Sequence, residues 1–225
     1  MDPKTLTKSK HRIFLVDDHA VVREGLKWII ERQENLEVCG EAADATETLE
    51  RIKSSKPDVA IIDVALTGMS GIELTKSVRA LYPKMGIIVL SMFNENLYAE
   101  RAIRAGANGY IMKRDGGEKV ISAIRHVLGG QTYVSDEFKE ILLQKLGNSG
   151  SKPAFSMDLL SNRELDVLRL IGQGFGSKEI AKNLEISMKT VEAHREHIRA
   201  KLKMHTNSEL VQHAIHWVHS ENIPH

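Results

Sequence analysis

The segment Val59-Ala-Ile-Ile-Asp63 constrains this chain more than any other. It is a short, unbroken apolar run, rich in Ile and Val, and it ends on a carboxylate. A run of that length and composition reads as a central strand buried on both faces, as in a parallel sheet covered by helices. Pro57 and Asp58 mark its start, and Gly68 with Gly71 shape the loop after it. Asp63 therefore stands at the carboxyl end of a buried strand, where open α/β sheets place their ligands. A charge there costs free energy unless something compensates it. An Asp that merely caps its own loop is the plainer reading, and the ends of the other strands decide against it.

Strand-like runs recur at 12–18, 36–42, 86–91 and 109–113, with helical spacing at 21–32, 46–54, 72–81, 97–105 and 118–128. Five strands alternating with helices predict an α/β doubly wound parallel sheet, given that crossovers are right-handed. Gly129-Gly130 stops the last of these helices, and another short helix is predicted from Ser135, its N-cap, to about Leu146. Gly147-Asn-Ser-Gly-Ser-Lys-Pro153 is small, polar and free of apolar anchors, the composition of a linker. Beyond it only helical patterns follow. The chain divides into a first domain over 11–130, a connecting helix and linker over 131–155, and an all-α domain over 156–225.

Composition narrows the setting. No apolar run approaches bilayer-spanning length, and no signal-peptide core follows Lys4, Lys8, Lys10 and Arg12. A lone cysteine, Cys39, excludes an internal disulfide and suits a reducing cytoplasm. With a net charge of +1, nucleic-acid binding must rest on a local patch.

Four strand ends carry polar groups: Asp17 and Asp18, Asp63, Ser91, and Lys113. In a doubly wound sheet these share one edge. Three carboxylates together repel one another, and a hard divalent ion such as Mg²⁺ relieves that with oxygen ligands. Lys113 and the Ser91 hydroxyl are placed to hold the oxygens of a phosphoryl group on Asp63, since a carboxylate can accept phosphate as an aspartyl-phosphate.

On Val16-Asp17-Asp18, on Asp63 with Gly68-Met69 and Gly71, on Leu90-Ser91 and on Gly109-Tyr-Ile-Met-Lys113, residues 12–130 resemble the receiver domain of two-component response regulators. The resemblance implies that Asp63 accepts a phosphoryl group from a sensor histidine kinase. It implies that Asp17, Asp18, Asp63 and the backbone carbonyl of Ala65 hold Mg²⁺, and that Ser91 and Tyr110 rearrange on phosphorylation. Thr67, Ser70 and Arg114 depart from the family's common Pro, acid and Pro, and none of them is a phosphoryl or metal ligand.

In the second domain Ser161-Asn-Arg-Glu164 is a capping box that starts a helix with Leu165, Leu168 and Ile171 inward. A short helix, Ser177 to Leu184, and a longer one, Met188 to Lys203, flank the brief turn Glu185-Ile-Ser187, a helix-turn-helix. A small bundle with a merely solvated charged face has the same spacing. The wording decides: Leu160-Ser-Asn-Arg-Glu164, Lys178-Glu-Ile-Ala181, Thr190-Val191, His194, Ile198 and Lys201-Leu202 resemble the LuxR-type DNA-binding domain. The whole chain thus resembles response regulators of the NarL/FixJ subgroup. That implies a longer helix in the major groove of a double-stranded DNA operator, with Lys189, Glu192, Ala193 and Glu196 facing bases. Lys178, Thr190, His194 and Lys201 are then phosphate contacts. The spacing of the six histidines between His194 and His219 matches no metal-ligand pattern.

A homodimer is expected on phosphorylation or on DNA. Leu210 and Trp217 of the final helix are candidates for its contact, the alternative being that both close the domain core. The chain is not expected to be an enzyme beyond its own phosphorylation. A haloacid-dehalogenase-like phosphatase also uses an aspartyl-phosphate, but needs an acid two residues after its nucleophile, where Asp17 is followed by Asp18 and His19. A receiver that only dimerises, without phosphorylation, is the other rival, and the complete acidic set with Lys113 speaks against it.

Overall fold

The structure, a computed structural model, describes residues 10–92, 95–147 and 156–221. Its first part alternates β1 (His11–Val16), α1 (Ala20–Glu31), β2 (Leu36–Ala42), α2 (Ala45–Ser55), β3 (Val59–Asp63) and α3 (Gly71–Leu81). It continues with β4 (Gly86–Ser91), α4 (Glu95–Arg104), β5 (Gly109–Met112) and α5 (Gly117–Leu128). All strand pairs are parallel, in the order β2-β1-β3-β4-β5. The order reverses between β1 and β3, which opens a crevice at their carboxyl ends. The predicted doubly wound sheet is present, and β3, its central strand, is buried at every position.

Alternation along the strands sorts the core into two layers. Ile13, Leu15, Ile61, Ile88, Leu90 and Ile111 meet α1 and α5 on one face. Phe14, Val16, Ala60, Ile62, Val89 and Tyr110 meet α2, α3 and α4 on the other. Two sequence boundaries shift: β1 stops at Val16, before the acidic pair, and β5 stops at Met112, so Lys113 opens a 3₁₀ turn over Lys113–Asp115. Both shifts leave the polar residues in the loops beyond the strand ends.

The connecting segment closes the free edge of β5. The Tyr110 amide donates to the Tyr133 carbonyl at 2.9 Å. α6 (Asp136–Gly147) begins as expected at Ser135, whose hydroxyl accepts from the Phe138 amide at 3.0 Å. Phe138 is fully buried, and the Ser135 amide donates to Glu95 of α4 at 2.8 Å. Most of the expected linker, residues 148–153, lies outside the described residues.

The second domain packs α7 (Asn162–Gly172), α8 (Ser177–Asn183), α9 (Met188–Lys201) and α10 (Asn207–Glu221) around Leu165, Leu168, Ile180, Val191, Ile198, Leu210 and Ala214. The predicted capping box is formed: the Ser161 amide donates to Glu164 Oε2 at 2.7 Å and the Glu164 amide donates to Ser161 Oγ at 3.3 Å. Between α8 and α9 the chain turns through Glu185 at φ +52°, left-handed backbone that a non-glycine residue adopts at a cost. Leu210, expected at a contact between copies, is 0 % exposed, because its helix position faces α7. Leu210 therefore closes the domain core, the alternative that the sequence left open. Trp217 is half-buried against the same core.

Candidate phosphorylation site and DNA-binding surface

The carboxyl ends of β1 and β3 bring Asp17 and Asp63 together, each 1 % exposed, with Asp18 beside them at the surface. The Lys113 ammonium bridges the buried pair, 2.6 Å from Asp17 Oδ2 and 2.9 Å from Asp63 Oδ2. His19, on the same loop as Asp17, caps the acidic group from outside. Its amide donates to Asp17 Oδ1 at 2.9 Å and its Nδ1 lies 2.6 Å from Asp18 Oδ1. The loop after β3 passes so close beneath the site that a Cβ on Gly71 would lie 1.8 Å from the Asp63 carbonyl oxygen. Glycine is required there by space.

Burial pushes the Asp63 carboxyl up to about 6, against the pull of Lys113 and with the push of Asp17. Burial draws the Lys113 ammonium down, but Asp63 and Asp17 together outweigh that and hold it above its ordinary value. Asp63 is thus ionised at neutral pH yet poorly compensated: its Oδ1 is buried with no hydrogen-bond partner among the described residues. Ligand atoms from Asp17, Asp18, His19 and Asp63 lie within 4.8 Å of one another. An orphaned carboxylate oxygen in a cluster of oxygen donors fits a hard divalent cation such as Mg²⁺.

Ser91 ends β4 and is 0 % exposed, while Tyr110 is 1 % exposed on β5. The register pairs Val89 with Tyr110 and Ser91 with Met112, so Ser91 and Tyr110 share the sheet face that α4 covers. α4 in turn carries Arg101, whose guanidinium donates to the Met157 and Leu160 carbonyls at 2.9 Å each and to Asn162 Oδ1 at 3.0 Å. From the other side Arg163 of α7 donates to the Gly68 carbonyl at 2.8 Å and to the Leu184 carbonyl. Gly68 belongs to the loop after Asp63, and the Glu185 carboxylate packs against it. Asp166 is buried near Arg169, Arg163, Glu73 and Arg101, and burial pushes its carboxyl up to about 6. The helical domain therefore rests on the loop after Asp63 and on α4. None of Arg101, Arg163, Asp166 or Glu185 stands out in the sequence, since each occupies an ordinary polar position on its own element.

On the helix-turn-helix, Lys178, Lys189, Thr190, Glu192, Ala193 and Glu196 are exposed, so the docked receiver leaves the expected reading face open. Ser187 caps α9, its hydroxyl accepting from the Thr190 amide at 3.0 Å. Glu192 lies 4.0 Å from the buried Arg195, a long contact that leaves its carboxylate in solvent. His194 and Lys201 differ from the other expected DNA contacts. His194 is half-buried, and the Lys201 ammonium is held 2.6 Å from Glu164 Oε2 within the domain.

Comparison with known proteins accords with both halves. Residues 13–125 match the response regulator receiver domain, and residues 158–214 match the luxR family of bacterial regulatory proteins. The chain is 38% identical over 210 residues to the oxygen regulatory protein NreC of Staphylococcus epidermidis, covering 91% of this chain and 96% of that one. Against NreC of Staphylococcus carnosus the identity is 39% over 209 residues, with the same coverage. Among solved structures, RcsB of Salmonella typhimurium superposes with a TM-score of 0.70 at 26% identity, covering 96% of this chain and 100% of that one. RcsB of Salmonella enterica bound to promoter rprA in the presence of phosphomimetic BeF3- gives 0.64 at 26% identity, covering 91% and 98%. No helix of the described residues is long and apolar enough to cross a membrane. An acidic sheet edge with its Lys, joined to a capped helix-turn-helix, places this chain among the two-component response regulators that regulate transcription through a LuxR-type DNA-binding domain.

Proposed function

We propose that Asp63 accepts a phosphoryl group from a sensor histidine kinase in the cytoplasm, and that this controls sequence-specific DNA binding through α9. The observation that carries the reading is the Asp63 carboxylate, buried, paired to Lys113 at 2.9 Å and with its Oδ1 lacking a hydrogen-bond partner among the described residues. That oxygen is the nucleophile: it bonds to phosphorus as the donor's bond to phosphorus breaks. Lys113, already within reach, turns from the carboxylates to an oxygen of the transferred group, and the Ser91 hydroxyl takes another. Asp17, Asp18, Asp63 and the Ala65 carbonyl would hold Mg²⁺, which supplies charge neutralisation at the phosphoryl oxygens when bound.

Ser91 and Tyr110 lie under α4, so a Ser91 that turns toward the phosphoryl group makes room for Tyr110 and shifts the helix that carries Arg101. The three hydrogen bonds from Arg101 to the start of the helical domain then report the state of Asp63. On DNA, Lys189, Glu192, Ala193 and Glu196 face bases. Lys178, Thr190 and His194 face phosphates, and Lys201 joins them by giving up Glu164. Two copies occupy paired half-sites about one helical turn apart, with Trp217 and not Leu210 left to contribute to their contact.

Incubation with acetyl phosphate and Mg²⁺ tests the acceptor. One phosphate per chain is expected by intact mass, and Asp63→Asn abolishes it. Uptake that persists in the variant removes Asp63 from the role.

A further inference from the structure

Glu164, His194 and His197 form a second group of metal-ligating side chains, apart from the sheet edge. One ligand atom of each lies within 4.8 Å of the other two. They come from two helices: Glu164 from the first turn of α7, and the histidines from one face of α9, three residues apart. The group opens outward, since the Glu164 side chain is 5 % exposed and that of His197 is 66 % exposed. Glu164 is held in place through Oε2, which accepts from the Ser161 amide at 2.7 Å and from Lys201 at 2.6 Å. Its other oxygen, Oε1, lies 3.9 Å from His197 Nδ1. His194 Nδ1 is buried and has no hydrogen-bond partner among the described residues. A buried ring nitrogen left without a partner loses its hydration and gains nothing in return.

We propose that Glu164, His194 and His197 form a binding site for a borderline divalent metal ion, Zn²⁺ foremost. Two imidazoles and one carboxylate are the donor set of many three-ligand zinc sites, with a fourth position left to water. Mg²⁺ prefers an all-oxygen shell and hydration, so the site is chemically distinct from the acidic edge of the sheet. Zn–N and Zn–O bonds of about 2.0–2.2 Å require the ligand atoms to draw closer than they stand, and the exposed His197 has the freedom to rotate inward. Lys201 and Arg163 face the group with positive charge, which weakens the hold on a cation. An ion bound there pins the middle of α9 to the capped end of α7 and withdraws His194 from the DNA-facing surface. The residues escaped sequence reasoning because spacing among the histidines alone shows no carboxylate; Glu164 comes from another helix, 30 positions before His194.

The test uses the full chain in saturating Mg²⁺, titrated with Co²⁺ by visible absorption and then displaced by Zn²⁺. One Co²⁺ per chain with an intense, imidazole-liganded spectrum is expected, unchanged in Asp63→Asn and in His216→Gln. His197→Gln and His194→Gln should each weaken binding by at least about tenfold, the scale on which even indirect supports of a metal site act. His197 is exposed, so its variant decides the matter even if His194→Gln fails to fold. No spectrum at millimolar Co²⁺ overturns the proposal. So does a spectrum that survives His197→Gln, or one lost in Asp63→Asn or His216→Gln, which assigns the ion elsewhere.

Discussion

Replacing Asp63 by Asn should stabilise the metal-free receiver domain at neutral pH while leaving it unchanged in acid. The carboxyl is raised from 3.8 to about 6 by burial, so the native state binds this proton more tightly than the unfolded chain does. Stability therefore falls as pH rises from 3.8 to about 6, and the loss is complete above that window. A shift of roughly two units corresponds to about 3 kcal/mol, at 1.36 kcal/mol for each unit. Asn mimics the protonated carboxyl and leaves Lys113 its contact with Asp17 at 2.6 Å. The variant should thus match the parent near pH 4 and exceed it by up to about 3 kcal/mol at pH 7.5. Mg²⁺ should narrow the gap, because a cation at the site compensates the ionised form only. Urea unfolding in EDTA from pH 4 to 8, with Trp217→Phe in both proteins so that Trp28 reports the receiver, gives the two curves. Titrating groups not coupled to Asp63 cancel in the difference. Parallel curves, or a variant less stable at pH 7.5, would refute burial as the dominant influence on Asp63.

Further expectations concern the loop, the domain contact and the DNA surface. Gly71→Ala places a Cβ 1.8 Å from the Asp63 carbonyl oxygen, a backbone atom that cannot give way. It should cost about 3 kcal/mol, the upper end for overpacking, and lower phosphate uptake; unchanged unfolding would show that the loop is free to move. Arg163→Ala removes the donors to Gly68 and Leu184. Amide exchange over residues 66–70 should quicken about tenfold, allowing about 1–2 kcal/mol for a half-buried charged donor, and unaltered exchange would mean the contact carries nothing. Glu192→Gln and Glu196→Gln should each tighten binding to random duplex, since non-specific affinity follows charge. If one of them reads a cytosine, specific binding falls by about 1–3 kcal/mol relative to random. Equal shifts on the two duplexes, by anisotropy at several salt concentrations, would remove these residues from base reading.

Local pattern decided the elements. Val59–Asp63 is buried at every position because an unbroken apolar run has no polar face to show to water. Alternation of such runs with helical stretches was enough for a parallel sheet, and parallel strands put Asp17, Asp63, Ser91 and Lys113 at one edge whatever their distance along the chain. The capping box at Ser161 and the stop at Gly129 are likewise local, since they depend on groups within one turn. Tertiary packing decided what each of those residues meets. Leu210 and Trp217 lie on one helix face that suits a core or a partner equally, and only the position of α7 against α10 buried Leu210. Lys201 reads from the sequence as a solvent-facing cation, and only the fold brings Glu164, 37 positions earlier, to its ammonium. Arg163 and Gly68 meet across 95 positions, and no periodicity encodes that contact. A helix or strand follows from neighbours in sequence, whose spacing sets which face is apolar. The partner of a polar side chain follows from which faces are pressed together, and that is settled by the burial of the whole surface.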